Sequence, residues 1–340
     1  MKILATGGAG FIGSHAVKRL LAEGCEVLNI DKLTYAGSLD NLGSAMNNPK
    51  HHFEKIDICD APKIQKLFES FKPDAVLHMA AESHVDRSID GPAVFIETNV
   101  VGTHVITKTA YDYWASNKKD FRFVHLSTDE VFGALGEEGF FTEETPYQPN
   151  SPYAASKASS DLLVRSYWKT YKFPAIIVNS SNNYGPNQYP EKLIPLTILN
   201  ALEQKPLPIY GEGKNVRDWL FVEDHVDGLW SILTKATPGE AFCIGGGYEV
   251  RNIDIVKTIC TFLDKKQPAA KPHENLITYV TDRPGHDFRY ATDCTKIKNK
   301  LSWAPKTNFE KGIATTIDWY LQEQKRLSEL PARHRQGKAS

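Results

Sequence analysis

The first half of the chain alternates short apolar runs with longer mixed stretches. Lys2–Thr6, Glu26–Asp31, Ala75–Met79, Phe121–Ser127 and Ala175–Asn179 read as buried strands. Between them lie helical patterns, among them Phe11–Glu23 and a segment from about Asn99 to Ser116. Apolar strands separated by helices predict an α/β fold: a doubly wound parallel sheet, Rossmann-like, covered on both faces. The second half carries more punctuation, as in Tyr184-Gly185-Pro186, Gly211-Glu212-Gly213 and Arg283-Pro284-Gly285. Helical patterns persist there at about Leu193–Glu203, Val222–Lys235 and Ile253–Leu263. The expected organisation is a Rossmann-like domain over residues 1–180 that also receives part of 215–250. A smaller mixed α/β domain over 181–330 follows, with a discontinuous boundary, and residues 331–340 read as a mobile tail.

Composition narrows the class. The 340 residues are 41% hydrophobic, enough for a large core and more than one domain. A formal net charge of −1 gives no basic excess for nucleic acid or a membrane surface. The five cysteines (Cys25, Cys59, Cys243, Cys260, Cys294) fit neither a paired framework nor a metal-ligand spacing, so no metal is expected and the thiols read as reduced. Gly7-Gly8 follows the first strand too soon for a signal peptide, and no apolar run approaches membrane-spanning length. A soluble cytoplasmic protein is the expectation.

Gly7-Gly8-Ala9-Gly10-Phe11-Ile12-Gly13 follows the first strand and opens the first helix. In that position one glycine permits the tight turn, one lets the backbone approach a pyrophosphate, and one lets helix and strand close together. The helix N-terminus then offers free N–H groups to the phosphates. The same spacing recurs at Gly133, Gly136 and Gly139, but no helical pattern follows, so that match reads as a surface loop. Asp31 ends the second strand, where a carboxylate accepts from a ribose 2′-OH and repels a 2′-phosphate; NAD is favoured over NADP. Asp57-Ile58 follows another apolar stretch and is placed to lie beside an adenine.

Tyr153 and Lys157 stand one helical turn apart, in a helical pattern after Asn150-Ser151-Pro152, and so share a face. A Tyr–Lys pair can act as a base on a sugar hydroxyl. A free phenol titrates at about 10, so work near neutrality needs roughly 4 kcal/mol of phenolate stabilisation. The Lys157 ammonium and a nicotinamide cation could supply it together. Tyr210 and Lys214 repeat the spacing, but in a glycine turn. Ser127-Thr128-Asp129-Glu130 lies at the C-terminal end of a strand, the edge where open parallel sheets bind ligands. In a continuing strand Asp129 and Glu130 would point to opposite faces, so both reach one substrate only if the chain turns there. Paired carboxyl groups beside a sugar suggest one general acid and one general base; a solvated acidic turn is the plainer alternative.

Together these residues resemble the extended short-chain dehydrogenase/reductase family and, within it, the nucleotide-sugar 4,6-dehydratases that act on dTDP-glucose. The resemblance runs along nearly the whole chain. Besides the motifs above it includes Asp31–Gly37, Ala80–Ser88, Ser181–Pro186, Pro190–Pro195, Arg217-Asp218-Trp219 and Asp282–Asp287. Thr128-Asp129-Glu130 is its most discriminating piece, because sister epimerases and decarboxylases share the glycine loop and the Tyr–Lys pair but differ there. The resemblance implies catalysis by Thr128, Asp129, Glu130, Tyr153 and Lys157. Tyr153 would deprotonate the C4 hydroxyl while NAD takes the C4 hydride, Glu130 would remove the C5 proton, and Asp129 would protonate the departing C6 hydroxyl.

The same resemblance implies that NAD contacts Gly7, Gly10, Phe11, Ile12, Gly13, Asp31, Lys32, Leu33 and Thr34. Further along it adds Asp57, Ile58, Ala80, Ala81, Ser83, Thr98 and Asn183, with Tyr153 and Lys157. For dTDP-glucose it implies Ser83, Thr128, Asn182, Lys192, Leu193, Pro208, Ile209, Tyr210 and Arg217, with Asp282, Arg283 and His286. It also implies a homodimer joined through helices, which the large apolar side chains Leu162, Leu163, Tyr167, Trp168 and Tyr171 favour independently. Two positions depart from the family pattern: Asn179 where an arginine is usual, and Tyr248 where an asparagine is usual. An epimerase of the same fold is the competing enzyme, and Asp129 with Glu130 argues against it. A protein that merely senses NAD would need neither pair.

Overall fold

A computed structural model describes residues 1–117 and 120–328. The tail expectation for 331–340 lies outside the described residues. Seven parallel strands form the central sheet: β1 (Lys2–Thr6), β2 (Glu26–Asp31), β3 (His51–Lys55), β4 (Ala75–His78), β5 (Arg122–Thr128), β6 (Ala175–Ser180) and, later in the chain, Ala241–Ile244. The chain winds outward from β1 through β2 to β3, then restarts on the other side of β1 with β4, β5, β6 and Ala241–Ile244. The reversal between β1 and β4 opens a crevice at the C-terminal strand ends, where such sheets bind ligands.

Each face of the sheet is buried because successive side chains alternate. Ile3 and Ala5 of β1, Val124 and Leu126 of β5, and Ile176 and Val178 of β6 join a core on one side. The helices α1 (Phe11–Ala22) and, further on, Val222–Lys235 cover that side with Ala16, Val17, Leu20, Leu229 and Leu233. Leu4, Phe123, Ala175 and Ile177 face the other core, closed by α2 (Ala61–Phe71) and by the segment that follows β4. That segment comprises α3 (Val85–Asp90), α4 (Ala93–Phe95), a π-helical stretch (Ile96–Gly102) and α5 (Thr103–Asn117). The long helix α6 (Pro152–Tyr171) completes the layer with Val164 and Tyr167. Ser151 caps α6 by accepting from the Ala154 N–H (3.0 Å), and Pro152 at its first position suits a helix start.

The second half builds a smaller layer over the strand ends. It contains β7 (Asn182–Tyr184), α7 (Leu193–Leu202), β8 (Leu207–Tyr210), β9 (Val216–Phe221), α8 (Val222–Lys235), β10 (Ala241–Ile244), β11 (Glu249–Arg251), α9 (Asn252–Lys266) and β12 (Ile277–Val280). β7, β9 and β11 form one small mixed sheet, and β8 pairs with β12 in another. Their core is separate: Ile194, Ile198, Ile209, Trp219, Ile255, Ile259 and Tyr320 pack together. Through β10 the chain returns to the large sheet beside β6.

Candidate active site

The glycine loop shows, position by position, what a dinucleotide requires. Gly7 has φ +72°, and a Cβ there would sit 2.7 Å from the Ala80 Cα. A Cβ on Gly13 would fall on the Gly7 carbonyl oxygen. These two glycines are demanded by the turn and by helix packing. Gly10 differs: its φ is −77°, and an added Cβ would meet only the Gly7 oxygen, at 3.3 Å. Apart from that one close contact, nothing among the described residues needs Gly10 to be small. It caps α1 without a side-chain hydrogen bond, lines the cleft, and leaves the first N–H groups of the helix for an anion. Asp31 accepts from the Ala9 N–H (3.0 Å) and the Leu33 N–H (2.8 Å), so its carboxylate is held at the cleft wall beside the loop. This donor and acceptor set fits NAD, and the Asp31 carboxylate would repel a 2′-phosphate.

The expected cofactor positions converge on one cleft. Gly7, Gly10, Phe11, Ile12, Gly13, Asp31, Lys32, Thr34, Asp57, Ile58, Ala80, Ala81, Ser83, Thr98, Asn183, Tyr153 and Lys157 all line it. Leu33, at a left-handed turn (φ 55°), is outside the lining. Lys32 is tied to Asp57 (2.6 Å). Thr98 reaches the cleft from the π-helical stretch, where the next residue, Asn99, clamps the Glu82 backbone (2.8 and 2.9 Å) and donates to Ser156 (2.8 Å). The helix expected from about Asn99 is therefore regular only from Thr103, and its irregular turn sits at the site.

Tyr153 and Lys157 are buried on the same face of α6, as their spacing requires. Lys157 Nζ donates to the Leu126 carbonyl (2.8 Å), and burial lowers its pKa to about 8. Burial and the nearby Glu130 charge push the Tyr153 phenol well above its usual range, whereas Thr128 acts in the opposite sense. Next to them the chain does turn: Thr128 ends β5 and caps a 3-10 turn over Asp129–Phe132. The two carboxyl groups then occupy different places. Glu130 lines the cleft, while Asp129 is 1% exposed with Oδ2 unpartnered. Both are raised by burial. Asp129 is raised further by Glu130 and Asp218, whereas Arg283, Lys192 and Arg217 pull Glu130 back down.

The expected substrate positions fall into two groups. Ser83, Thr128, Asn182 and Lys192 line the cleft, and Lys192 Nζ donates to the Ser83 carbonyl (2.8 Å). Tyr210, Asp282, Arg283 and His286 gather outside that lining. Tyr210 OH (3.1 Å) and Arg283 (3.2 Å) both bind Asp86 of α3, and His286 bonds Asp282 (2.6 Å). Arg217 is buried, donating to the Asp287 carbonyl (2.9 Å) and lying over the Tyr290 ring. Ile209 and Leu193 point into the small layer's core, and Pro208 is exposed. Of the departures, Asn179 lies under the site, donating to the Thr128 carbonyl and to Asp161, both at 3.1 Å. Tyr248 is 45% exposed and stacks on Phe309 (4.7 Å).

Several lining residues were given no site role by the sequence reading: Gln188 and Tyr189, and also Glu82 and Glu191, which lie inside the segments Ala80–Ser88 and Pro190–Pro195. Glu191 is buried and receives the Tyr35 hydroxyl (2.9 Å), with Arg87 3.4 Å away. These contacts join positions far apart in the chain, and no local pattern signals them. Among the described residues no group of His, Cys, Asp and Glu could hold a metal ion, and no helix is long and apolar enough to cross a membrane.

A strand–glycine loop–helix crevice facing a helical Tyr–Lys pair defines a dinucleotide-dependent enzyme of the extended short-chain dehydrogenase/reductase class. The family model described as GDP-mannose 4,6 dehydratase matches residues 4–316. The dTDP-glucose 4,6-dehydratase of Shigella flexneri is 54% identical over 335 residues, 94% of this chain and 93% of that protein. Among solved structures, that of the dTDP-glucose 4,6-dehydratase DesIV from Streptomyces venezuelae with NAD and TYD bound superposes with TM-score 0.90 at 43% identity, covering 97% of this chain and 100% of that one. The Bacillus anthracis dTDP-glucose 4,6-dehydratase in complex with NAD gives 0.87, also at 43% identity, with 97% and 100% covered. The chain belongs to the dTDP-glucose 4,6-dehydratase family.

Proposed function

We propose that the protein is an NAD-dependent hydro-lyase that converts dTDP-glucose to dTDP-4-keto-6-deoxyglucose and water, a step of deoxysugar biosynthesis. The observation that carries this reading is the placement of two carboxyl groups in unlike surroundings beside the Tyr–Lys pair. Neighbours that separate two acids in this way assign the acid and the base.

Bound NAD, held by the glycine loop and Asp31, supplies a reversible acceptor for the hydrogen lost at C4 and regained at C6. Tyr153 takes the C4 hydroxyl proton, with the Lys157 ammonium favouring its phenolate and Thr128 hydrogen-bonding the same hydroxyl. The resulting 4-keto group acidifies C5. Glu130, kept ionisable by Arg283, Lys192 and Arg217, removes the C5 proton. Asp129, whose pKa is raised by burial and by the Glu130 and Asp218 charges, supplies the proton for the departing C6 hydroxyl. The Thr128 hydroxyl links Asp129 Oδ1 (3.3 Å) to the cleft. Lys192, Ser83 and Asn182 hold the sugar nucleotide at the cleft, and the Leu193 and Pro208–Ile209 backbone, with Tyr210, Arg217 and the Asp282–His286 segment, extends its nucleotide side. In domain terms, residues 1–180 with part of 215–250 bind the cofactor, and the remainder to 330 binds the nucleotide.

Purified protein offered dTDP-, UDP-, GDP- and CDP-glucose should form a 4-keto-6-deoxy product from the dTDP sugar at a rate well above the rest. Interconversion at C4 without loss of water would instead identify an epimerase.

The protein acts in the cytoplasm as a homodimer. Leu162 (53% exposed) and Tyr171 (49%) of α6 remain at the surface, and Val94, Ile96 and Val101 are exposed on the segment that packs beside α6. Tyr167 and much of Leu163 and Trp168 are covered within the subunit, so the expected interface is narrower than the sequence alone suggests. Light scattering at micromolar concentration should give twice the 38.1 kDa chain mass, and Leu162→Glu should halve it. A monomeric parent protein would remove the idea.

A further inference from the structure

Beneath Tyr153 and Lys157 lies a second set of polar side chains that the proposed chemistry does not use. Asp161 follows Lys157 by one turn of α6 and is 0% exposed. Its Oδ2 accepts from Ser127 Oγ (2.7 Å), Tyr147 OH (3.0 Å) and Asn179 Nδ2 (3.1 Å), and its Oδ1 lies 3.1 Å from His125 Nε2. These neighbours come from β5, β6 and the loop before α6. The three on Oδ2 donate to it, as suits an acceptor-only carboxylate, while Oδ1 makes no hydrogen bond and has the His125 ring beside it. The His125 ring stacks on His78 (5.2 Å), which is held in turn by Thr6 (2.7 Å) and Thr103 (3.0 Å).

We propose that Asp161 is a positioning residue for the Tyr153–Lys157 pair: from one helical turn below Lys157 it supplies the counter-charge that keeps the lysine an ammonium, and it pins α6 to the end of β5 that carries Thr128, Asp129 and Glu130. This rests on the reading of Tyr153 and Lys157 as the groups that act at C4. Asp161 does not line the cleft, so it acts through Lys157 and not on the substrate.

Lys157 interacts with Asp161 on α6, His125 on β5 and His78 on β4, and Tyr153 stands one turn before it on α6. Asp161 is faced by His125, Tyr147 and Tyr153. Burial holds both imidazoles below their ordinary range, so they add no positive charge near neutrality. Burial lowers Lys157, and Asp161 opposes that fall. The ammonium is present below the Lys157 pKa and lost as pH rises through it. Removing the Asp161 charge lowers that pKa further, and the alkaline limb of turnover moves to lower pH. Asp161 also opposes ionisation of Tyr153, weakly and from two turns away, so the acid limb moves the same way but less.

The test is the full pH profile of Asp161→Asn holoenzyme with dTDP-glucose. Removing an opposite charge from beside a buried ammonium lowers its pKa, so the alkaline limb should fall by about one pH unit and kcat above it should drop by about tenfold. KM and bound NAD should be unchanged. Tyr147→Phe, which removes a donor and leaves the charge, should keep the limb in place. An Asp161→Asn limb that coincides with wild type, even at reduced kcat, overturns the proposal. Should that variant not fold, carbon-13 detection of the Asp161 carboxyl in the wild-type holoenzyme decides: the proposal requires the ionised form throughout the active range, and a protonated carboxyl contradicts it. Absence of 4-keto product from wild type would strike the functional reading itself, whereas wild-type turnover with an unmoved limb strikes only the role of Asp161.

Discussion

Rapid mixing of Glu130→Gln with dTDP-glucose should build up reduced-nicotinamide absorbance on the enzyme, whereas Tyr153→Phe should show almost none. In the proposed mechanism the two groups serve different steps from neighbouring positions. Tyr153 and Lys157 stand on α6 and remain intact in Glu130→Gln, so oxidation at C4 proceeds. Elimination then stalls, because no base faces C5, and exchange of the C5 hydrogen with solvent falls. Asp129→Asn should likewise oxidise C4 and stall, since hydroxide leaves poorly without a proton donor. Losing a positioned acid or base costs about 10²–10⁴-fold in rate, so both carboxyl variants are expected to be slow and not dead. Wild-type turnover by Glu130→Gln, or absorbance in Tyr153→Phe without any in Glu130→Gln, would reverse the assignment.

The second large effect separates cofactor binding from folding. Gly10→Ala should fold with a melting temperature close to wild type, because its Cβ meets only the Gly7 oxygen at 3.3 Å and the backbone there is extended. It should nonetheless purify without nicotinamide, because the methyl group occupies the approach to the helix N-terminus. Gly13→Ala should lose both: its Cβ collides with the Gly7 carbonyl, and such overpacking costs roughly 1–3 kcal/mol. Wild type, in which the cofactor is restored every cycle, should purify with NAD bound. Denaturing each protein and measuring released nicotinamide, with a melting curve alongside, checks all three. Wild-type nicotinamide content in Gly10→Ala would show that this glycine serves some other end.

Much of the fold was legible because parallel strands are buried on both faces and therefore read as apolar runs. β1, β2, β4, β5 and β6 announce themselves in this way. β3 does not: His51-His52-Phe53-Glu54-Lys55 is the edge strand, largely in contact with solvent, and its polar residues mask it. β10 (Ala241–Ile244) is no shorter than β4, but it stands among the glycines of the second half, outside the strand–helix alternation that marks the others. The cleft residues proposed to hold the cofactor were legible because a glycine loop, a strand-end aspartate and a helical Tyr–Lys pair are local features. Tyr210 and Lys214 show how the same spacing means nothing in a turn: Lys214 pairs with exposed Glu212. The Tyr35–Glu191 contact and the polar set around Asp161 could not be read, since each joins separate elements. A partial signal existed for Asp161, four residues after Lys157 on the same helical face.

The central claim is that one active site oxidises C4, expels water across C5 and C6, and returns the C4 hydrogen to C6 of the same sugar. Deuterium placed at C4 of dTDP-glucose tests it directly. Mass spectrometry and proton NMR of the 4-keto-6-deoxy product should find the label retained, and at C6. Label lost to solvent, or still at C4 in an epimerised sugar nucleotide, would contradict the account.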